Sequence, residues 1–337
     1  MELARITRNL QDELHSAGPR PLGAQGSLAG DRQRAAMPKC ALTAGASCSG
    51  GCGGSGYLVG RAGPYAHGTV CSCVTTCAVC FGRARMVDSN GVSKPCRTPS
   101  PVSVVNRLND AQIPARFADA TLDSYSNFAG NGRDILQRLV RFAKDFRAED
   151  GRGMLISGGV GVGKTYLLSG LARILCAQGV SVKFVDFFQL LGVLRAAYSQ
   201  DKSDLSILNP LLDVDVLIID ELGKGRNTDW ELTILDQLVM GRYNQRKPIV
   251  ASTNCPITGK KSLQGSYNFD LEQMQRMGGF APTQFEHLES IVGMRIYSRL
   301  IEMCEFAELT GDDVRRRAVA PAASASSPRG PTSPQQP

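Results

Sequence analysis

Along NGRDILQRLVRFAKDF the apolar positions Ile135, Leu136, Leu139, Val140 and Phe146 fall on one helical face, the period of a helix packed against a core. The pattern then shortens. GMLIS reads as a buried strand, followed by a glycine loop and the helix KTYLLSGLARILCAQ. VSVKFVD predicts a second strand and FFQLLGVLRAAYS a helix, while VDVLIID is a continuous apolar strand ending in acid. DWELTILDQLVMGRYNQ predicts another amphipathic helix and PIVAST another strand. Short apolar strands alternating with helices predict an α/β fold, a mostly parallel sheet with helices on both faces. No internal repeat of fixed period interrupts this order.

Composition divides the 337 residues into four parts. Residues 1–39 read as a flexible segment with a possible short helix at its start, and residues 40–98 as a Gly- and Cys-rich module. Residues 99–314 carry the α/β pattern, and residues 315–337 read as a disordered tail, with five prolines from Ala318 onward. Lys and Arg outnumber Asp and Glu by 38 to 31, a net charge of +7, which leans modestly toward an acidic partner such as nucleic acid. The chain has no run of eighteen apolar residues, so no transmembrane helix is expected. Its first residues, MELARITRNLQDELH, contain no apolar stretch of a secretory signal. The expected location is cytoplasmic, where eleven cysteines fit a metal site better than a disulfide framework.

The candidate chemistry begins at Gly158-Gly159-Val160-Gly161-Val162-Gly163-Lys164-Thr165, with Tyr166 following. This matches G-x-x-x-x-G-K-[ST] between a strand and a helix, the setting of a triphosphate-binding loop. Glycines let the backbone N–H groups close around phosphate oxygens, and the helix adds its positive end. Lys164 can reach the β- and γ-phosphates of ATP, and the Thr165 hydroxyl can ligate Mg²⁺. The strand Val216-Leu217-Ile218-Ile219 delivers Asp220 and Glu221 at its C-terminal end, where open α/β sheets bind ligands. Asp220 is placed to hold Mg²⁺, and Glu221 to polarise an attacking water. A third strand runs into Thr253-Asn254. Asn254 either sits between the acid and the γ-phosphate or simply forms the turn before Cys255-Pro256.

Together these motifs resemble the AAA+ ATPases, specifically the DnaC/DnaI-type replicative helicase loaders and their IstB-like relatives. The resemblance covers residues 104–314. It is carried by IPARF with Ala120-Thr121-Leu122, by GGVGVGKT, by VLIIDELG, by ASTN and by IVGMRIYSRLIEMC. It implies an ATPase in which Arg299, in the SRL segment, is an arginine finger reaching a neighbouring subunit's nucleotide, with Arg295 assisting. Spacing alone would leave both arginines on a solvated helix face. Residues 256–286 form an insert longer than such loaders usually have, and the chain after Cys304 shows no helical lid.

Eight cysteines, Cys40, Cys48, Cys52, Cys71, Cys73, Cys77, Cys80 and Cys96, lie between positions 40 and 96. Cys176, Cys255 and Cys304 lie in apolar surroundings and read as buried, inert thiols. Cys48/Cys52 and Cys77/Cys80 look like two copies of one knuckle, able to present thiolates to tetrahedral Zn²⁺. The count permits one or two zinc ions and leaves the grouping open; His67 reads as solvated. The module is similar to zinc modules of some DnaI-type loaders, which contact the helicase, and to the cysteine repeats of DnaJ chaperones. The leading expectation is a loader that binds a replicative hexameric DNA helicase through residues 1–100. It would bind single-stranded DNA through Phe188, Arg195, Tyr198 and Lys202, and self-assemble on helicase or DNA, with no membrane partner. The alternatives are an IstB-like transposition helper on duplex DNA and a protein-remodelling chaperone.

Overall fold

A computed structural model describes residues 48, 50–74, 85–87, 91–95, 101–126, 130–200, 203–225, 227–257 and 287–317. Residues 1–39, Cys40, Cys77, Cys80, Cys96, Lys202, most of the 256–286 insert and the last twenty residues lie outside that set.

The described chain opens with an antiparallel hairpin, β1 (Tyr57–Ala62) and β2 (Tyr65–Val70), and a second small pair, β3 (Arg85–Val87) and β4 (Ser93–Pro95). Helix α1 (Pro101–Ala111) begins on a proline, whose missing N–H costs nothing at a first helical position. It buries Val104, Val105, Leu108 and Ala111. The hairpin is stitched to this region by main-chain bonds. Ala66 N–H donates to Ile113 O at 2.7 Å and Ala115 N–H to Pro64 O at 2.9 Å. Asn109 clamps Gly68 with both ends of its amide, at 2.7 and 3.3 Å.

Helix α2 (Gly132–Asp145) buries Ile135, Leu136, Leu139 and Val140 as the period predicts, and Phe146 caps its C-terminus. There follow β5 (Gly153–Gly158), α3 (Lys164–Ala177), β6 (Val182–Asp186), α4 (Phe187–Tyr198), α5 (Leu205–Asp213) and β7 (Val216–Asp220). The chain continues through α6 (Asp229–Asn244), β8 (Ile249–Thr253), α7 (Leu288–Val292), α8 (Met294–Met303), β9 (Cys304–Leu309) and α9 (Val314–Arg317).

Five strands form one parallel sheet in the order β6-β7-β8-β5-β9. Successive side chains of a strand point to opposite faces. Val216 and Ile218 therefore join the cluster built by α1, α2 and α3, while Leu217 and Ile219 join the one built by α4 to α8. Burial on both faces is why these strands read as unbroken apolar runs. The order separates β5 from β6, its successor in sequence, and leaves a crevice between the C-terminal ends of β5 and β8.

Two features go beyond the sequence pattern. CEFAEL forms β9, an edge strand whose Glu305 and Glu308 face outward, a charged border that discourages further strand pairing. Arg242, in the last turn of α6, is fully buried. Its guanidinium donates to the carbonyls of Leu211, Leu212, Val214, Asp215 and Pro248 at 2.8 to 3.3 Å. It ties the end of α5 to the starts of β7 and β8. Burial draws its pKa down to about 10, so it is still charged at neutral pH.

Candidate nucleotide and metal sites

The loop from Gly158 to Thr165 connects β5, at the centre of the crevice, to α3. Gly161 and Gly163 sit at φ +80° and +104°, a region that L side chains avoid. A Cβ at Gly163 would come within 2.9 Å of the Tyr125 ring, and Tyr125 Oη donates to Val162 O at 3.2 Å. Val162 is buried under this contact, whereas Val160 is exposed. Tyr166 packs against the rings of Phe117 and Tyr125 and shares a hydrogen bond with Ser124 at 2.6 Å.

Lys164 is 7% exposed. Its ammonium donates to Gly158 O at 2.8 Å, Gly159 O at 2.7 Å and Asn254 Oδ1 at 2.6 Å. Burial lowers its pKa to about 8, opposed by the nearby Asp220 and Glu221 carboxylates. Asn254 thus joins the phosphate-loop lysine directly, bringing the end of β8 against the loop after β5. Asp220 is buried and its pKa is raised by that burial, against hydrogen bonds from Ser252 and Thr165. Glu221 adopts φ +56° and its N–H donates to Ser252 Oγ at 3.2 Å. Its carboxylate pairs with Lys224.

The donor set fits a magnesium polyphosphate. A left-handed glycine cradle and a buried ammonium face anionic oxygens. A hydroxyl beside a buried carboxylate offers hard oxygen ligands for Mg²⁺.

Sequence reading missed three contributors. Ser252 lies inside an apolar strand, and only its small polar side chain near the strand's end hinted at a role. Tyr125 lies in a turn with no periodic pattern. The third is the chain after β9, which crosses the loop. Val314 N–H donates to Gly161 O at 3.1 Å, and a Cβ at Gly161 would fall 1.9 Å from Asp313 Oδ1. Asn131 anchors this crossing through Glu308 O at 2.6 Å and Thr310 N–H at 2.8 Å.

Arg295 and Arg299 lie on α8, and their contacts are with α6. Arg295 pairs with Asp236 at 3.5 Å, and the Arg299 guanidinium lies 5.3 Å from the centre of the Tyr243 ring. Arg299 Nε is buried without a hydrogen-bond partner among the described residues. On α4, Phe188 is half-exposed with Lys224 6.0 Å from its ring centre. Arg195 pairs with Glu231 and covers Trp230 at 5.1 Å, and Tyr198 Oη donates to Asp204 at 2.9 Å.

The cysteines converge at the open end of the β1–β2 hairpin. The thiol sulfurs of Cys48, Cys52, Cys71 and Cys73 all lie within 4.8 Å of one another. Cys48 and Cys71 are 3.4 Å apart, as are Cys52 and Cys73. Gly50 N–H donates to Cys48 Sγ at 3.1 Å, and a Cβ at Gly50 would come within 2.8 Å of Cys71 Sγ. Only glycine lets the knuckle close this far. Cys52 and Cys71 are buried, and hydrogen bonds from Cys73 and Cys71 pull Cys48 down to about 6. Four thiols in this arrangement suit a tetrahedral thiophilic cation. His67 faces solvent on β2, and Cys77, Cys80, Cys96 and Cys40 lie outside the described residues.

Residues 103–266 match the family described as IstB-like ATP binding protein. They form an IstB-like ATP-binding domain. The chain is homologous to the replicative helicase loader DnaC of Escherichia coli (strain K12), 27% identical over 166 residues. That match covers 48% of this chain and 66% of that protein. The DnaC of Buchnera aphidicola subsp. Acyrthosiphon pisum (strain APS) is also 27% identical, over 165 residues, 48% of this chain and 67% of that protein. A crystal structure of the DnaC helicase loader is 24% identical with a TM-score of 0.47, covering 58% of this chain and 99% of that one. The chain is thus a P-loop ATPase, and the family matched by residues 103–266 binds ATP. No helix among the described residues is long and apolar enough to cross a membrane.

Proposed function

We propose that this chain is an ATP-dependent loader that places a replicative ring helicase on single-stranded DNA in the cytoplasm. The observation that carries the proposal is the hydrogen-bonded crevice joining Lys164, Asn254, Thr165, Asp220 and Ser252, in a domain homologous to DnaC. Lys164 and the loop amides of residues 158–163 hold the phosphates, with Tyr166 beside them, and Thr165 and Asp220 hold Mg²⁺. The ion, when bound, neutralises charge on the phosphate oxygens. Glu221 orients water and Asn254 reports the state of the phosphates to β8. Arg299, assisted by Arg295, completes the site of a neighbouring subunit, so hydrolysis requires assembly on the helicase or DNA. Of the DNA contacts, Phe188 is the most available, since Arg195 and Tyr198 are engaged within the chain.

Zinc is the second proposed cofactor, one ion held by Cys48, Cys52, Cys71 and Cys73. It would rigidify the hairpin as part of the helicase-docking end.

ATPase assays with oligodeoxythymidine, duplex DNA or an unfolded protein separate loader, transposition helper and chaperone. The loader reading predicts stimulation by the single strand, together with ATP-dependent capture of the replicative helicase from the source cell. Stimulation by duplex alone, with no helicase captured, would replace it with the transposition reading.

A further inference from the structure

Each peptide plane of the phosphate loop carries a carbonyl and an N–H that point in opposite directions, since every described peptide bond is trans. A group that holds a carbonyl on one side therefore aims the next residue's N–H to the other. Two adjacent planes of the loop are held in this way by groups distant in the chain. Val314 N–H, at the start of α9, donates to Gly161 O at 3.1 Å. Tyr125 Oη donates to Val162 O at 3.2 Å. Tyr125 is buried in the cluster built by α1, α2 and α3. The Val162 carbonyl is thus turned inward, and the Gly163 N–H faces away from the core.

We propose that Tyr125 Oη and Val314 N–H are positioning groups, a clasp behind the loop that turns the N–H groups of Val162 and Gly163 toward a bound phosphate. The inference deepens the reading of residues 158–165 as the phosphate site and rests on it. Gly161 and Gly163 flank Val162 at φ +80° and +104°, and glycines leave such planes free to rotate. An amide that must first be turned and fixed costs affinity, whereas one already aimed does not. The Tyr125 donor is itself tied to the helix that the loop enters. Arg173 of α3 donates to Ala118 O at 2.8 Å and to Ala120 O at 3.0 Å. Leu122 is buried so close to α3 that a Cβ at Gly170 would lie 3.0 Å from it. Ser124 shares its hydrogen bond with Tyr166, also on α3. The 118–125 segment and the loop thus hang from one helix. Burial pushes the Tyr125 hydroxyl up to about 12, so it remains a donor at neutral pH.

The test titrates the full chain with ATP and with pyrophosphate, each with Mg²⁺, as wild type, Tyr125→Phe, Val314→Pro and Lys164→Ala. Tyr125→Phe keeps the ring and removes only the donor. Val314→Pro removes an N–H at a first helical position, where proline is tolerated. Each of these two should weaken binding about threefold to tenfold, the scale of one neutral hydrogen bond. The factor should be the same for ATP and pyrophosphate, because the clasp acts on the phosphates alone. In steady-state ATPase the loss should fall on KM rather than kcat. In hydrogen exchange, ATP should protect the Val162 and Gly163 amides less in either variant, with the protection of β5 and α3 unchanged. A merely structural contact would lower the melting temperature without this local loss. Wild-type affinity for both ligands in Tyr125→Phe and Val314→Pro, with Lys164→Ala impaired, would overturn the clasp alone. Weaker ATP with unchanged pyrophosphate would also overturn it, by placing the effect at the nucleoside. Wild-type affinity in Lys164→Ala would remove the phosphate-site reading and the clasp with it.

Discussion

The phosphate loop and the cysteine hairpin are both glycine-rich turns, but they are held in opposite ways. The loop leaves a strand whose Met154, Leu155 and Ile156 are buried, and it enters a helix whose Leu167, Leu168 and Leu171 are buried as well. Its shape is imposed by the apolar core on either side, and ligand groups are added to a frame that already stands. The hairpin has little such support, only Ala66 in the core cluster with Tyr57 and Val59 packed against it. β1 buries none of its six residues, and β2 buries only Ala66 and Gly68. Docking on α1 and the 113–115 segment adds backbone bonds and the Asn109 clamp on Gly68, and four thiols crowd the open end. A two-stranded hairpin with so little core of its own is marginal in water, and the metal proposed for the four thiols would add what burial does not.

The largest effect that would break this contrast is removal of metal. A chelator should abolish the protection of β1 and β2 amides against hydrogen exchange altogether, while β5, β7 and β8 keep theirs and ATP affinity stays close to that of the metal-loaded protein. Loss of protection throughout the sheet would show that the hairpin is part of the core's cooperative unit. Next in size is Arg242→Met. It leaves five carbonyls without their donor in the region said to stand by burial. It should cost about 3–5 kcal/mol in urea unfolding. A change below 1 kcal/mol would mean that water replaces the guanidinium. The smallest is Asn254→Ala, which removes one charge-assisted bond to Lys164. It should weaken ATP binding by about tenfold or less, with no change in melting temperature. Equal ATP affinity in the variant and the wild type would return Asn254 to the role of a turn.

Much of the core was legible because both faces of its strands are buried, so VLIID and PIVAS announce themselves without periodicity. The same physics hid other elements. Strand β9 is interrupted by Glu305 and Glu308 because it forms an edge, and α5 carries Pro210 in its interior. Arg242 reads as a surface charge, since nothing in its neighbours along the chain reveals the five carbonyls that α5, β7 and β8 turn toward it. The turn from Gly158 to Lys164 was legible as a strand-to-helix connection because its glycine spacing marks it. The cysteines were legible only as a set. Sequence similarity groups Cys48/Cys52 and Cys77/Cys80 as copies, whereas hairpin register places Tyr57 opposite Val70 and so brings residues before 57 beside Cys71 and Cys73. Grouping of that kind is a property of strand pairing, invisible to spacing.

The central claim is that the turn after β5 binds the phosphates of ATP through a lysine the fold has already placed. Calorimetric titration of ATP with Mg²⁺ into the full chain and into Lys164→Ala tests it most directly. The account predicts one site per wild-type chain and a loss of about a hundredfold or more in affinity in the variant, with its melting temperature unchanged. Undiminished binding by a folded Lys164→Ala chain would contradict it.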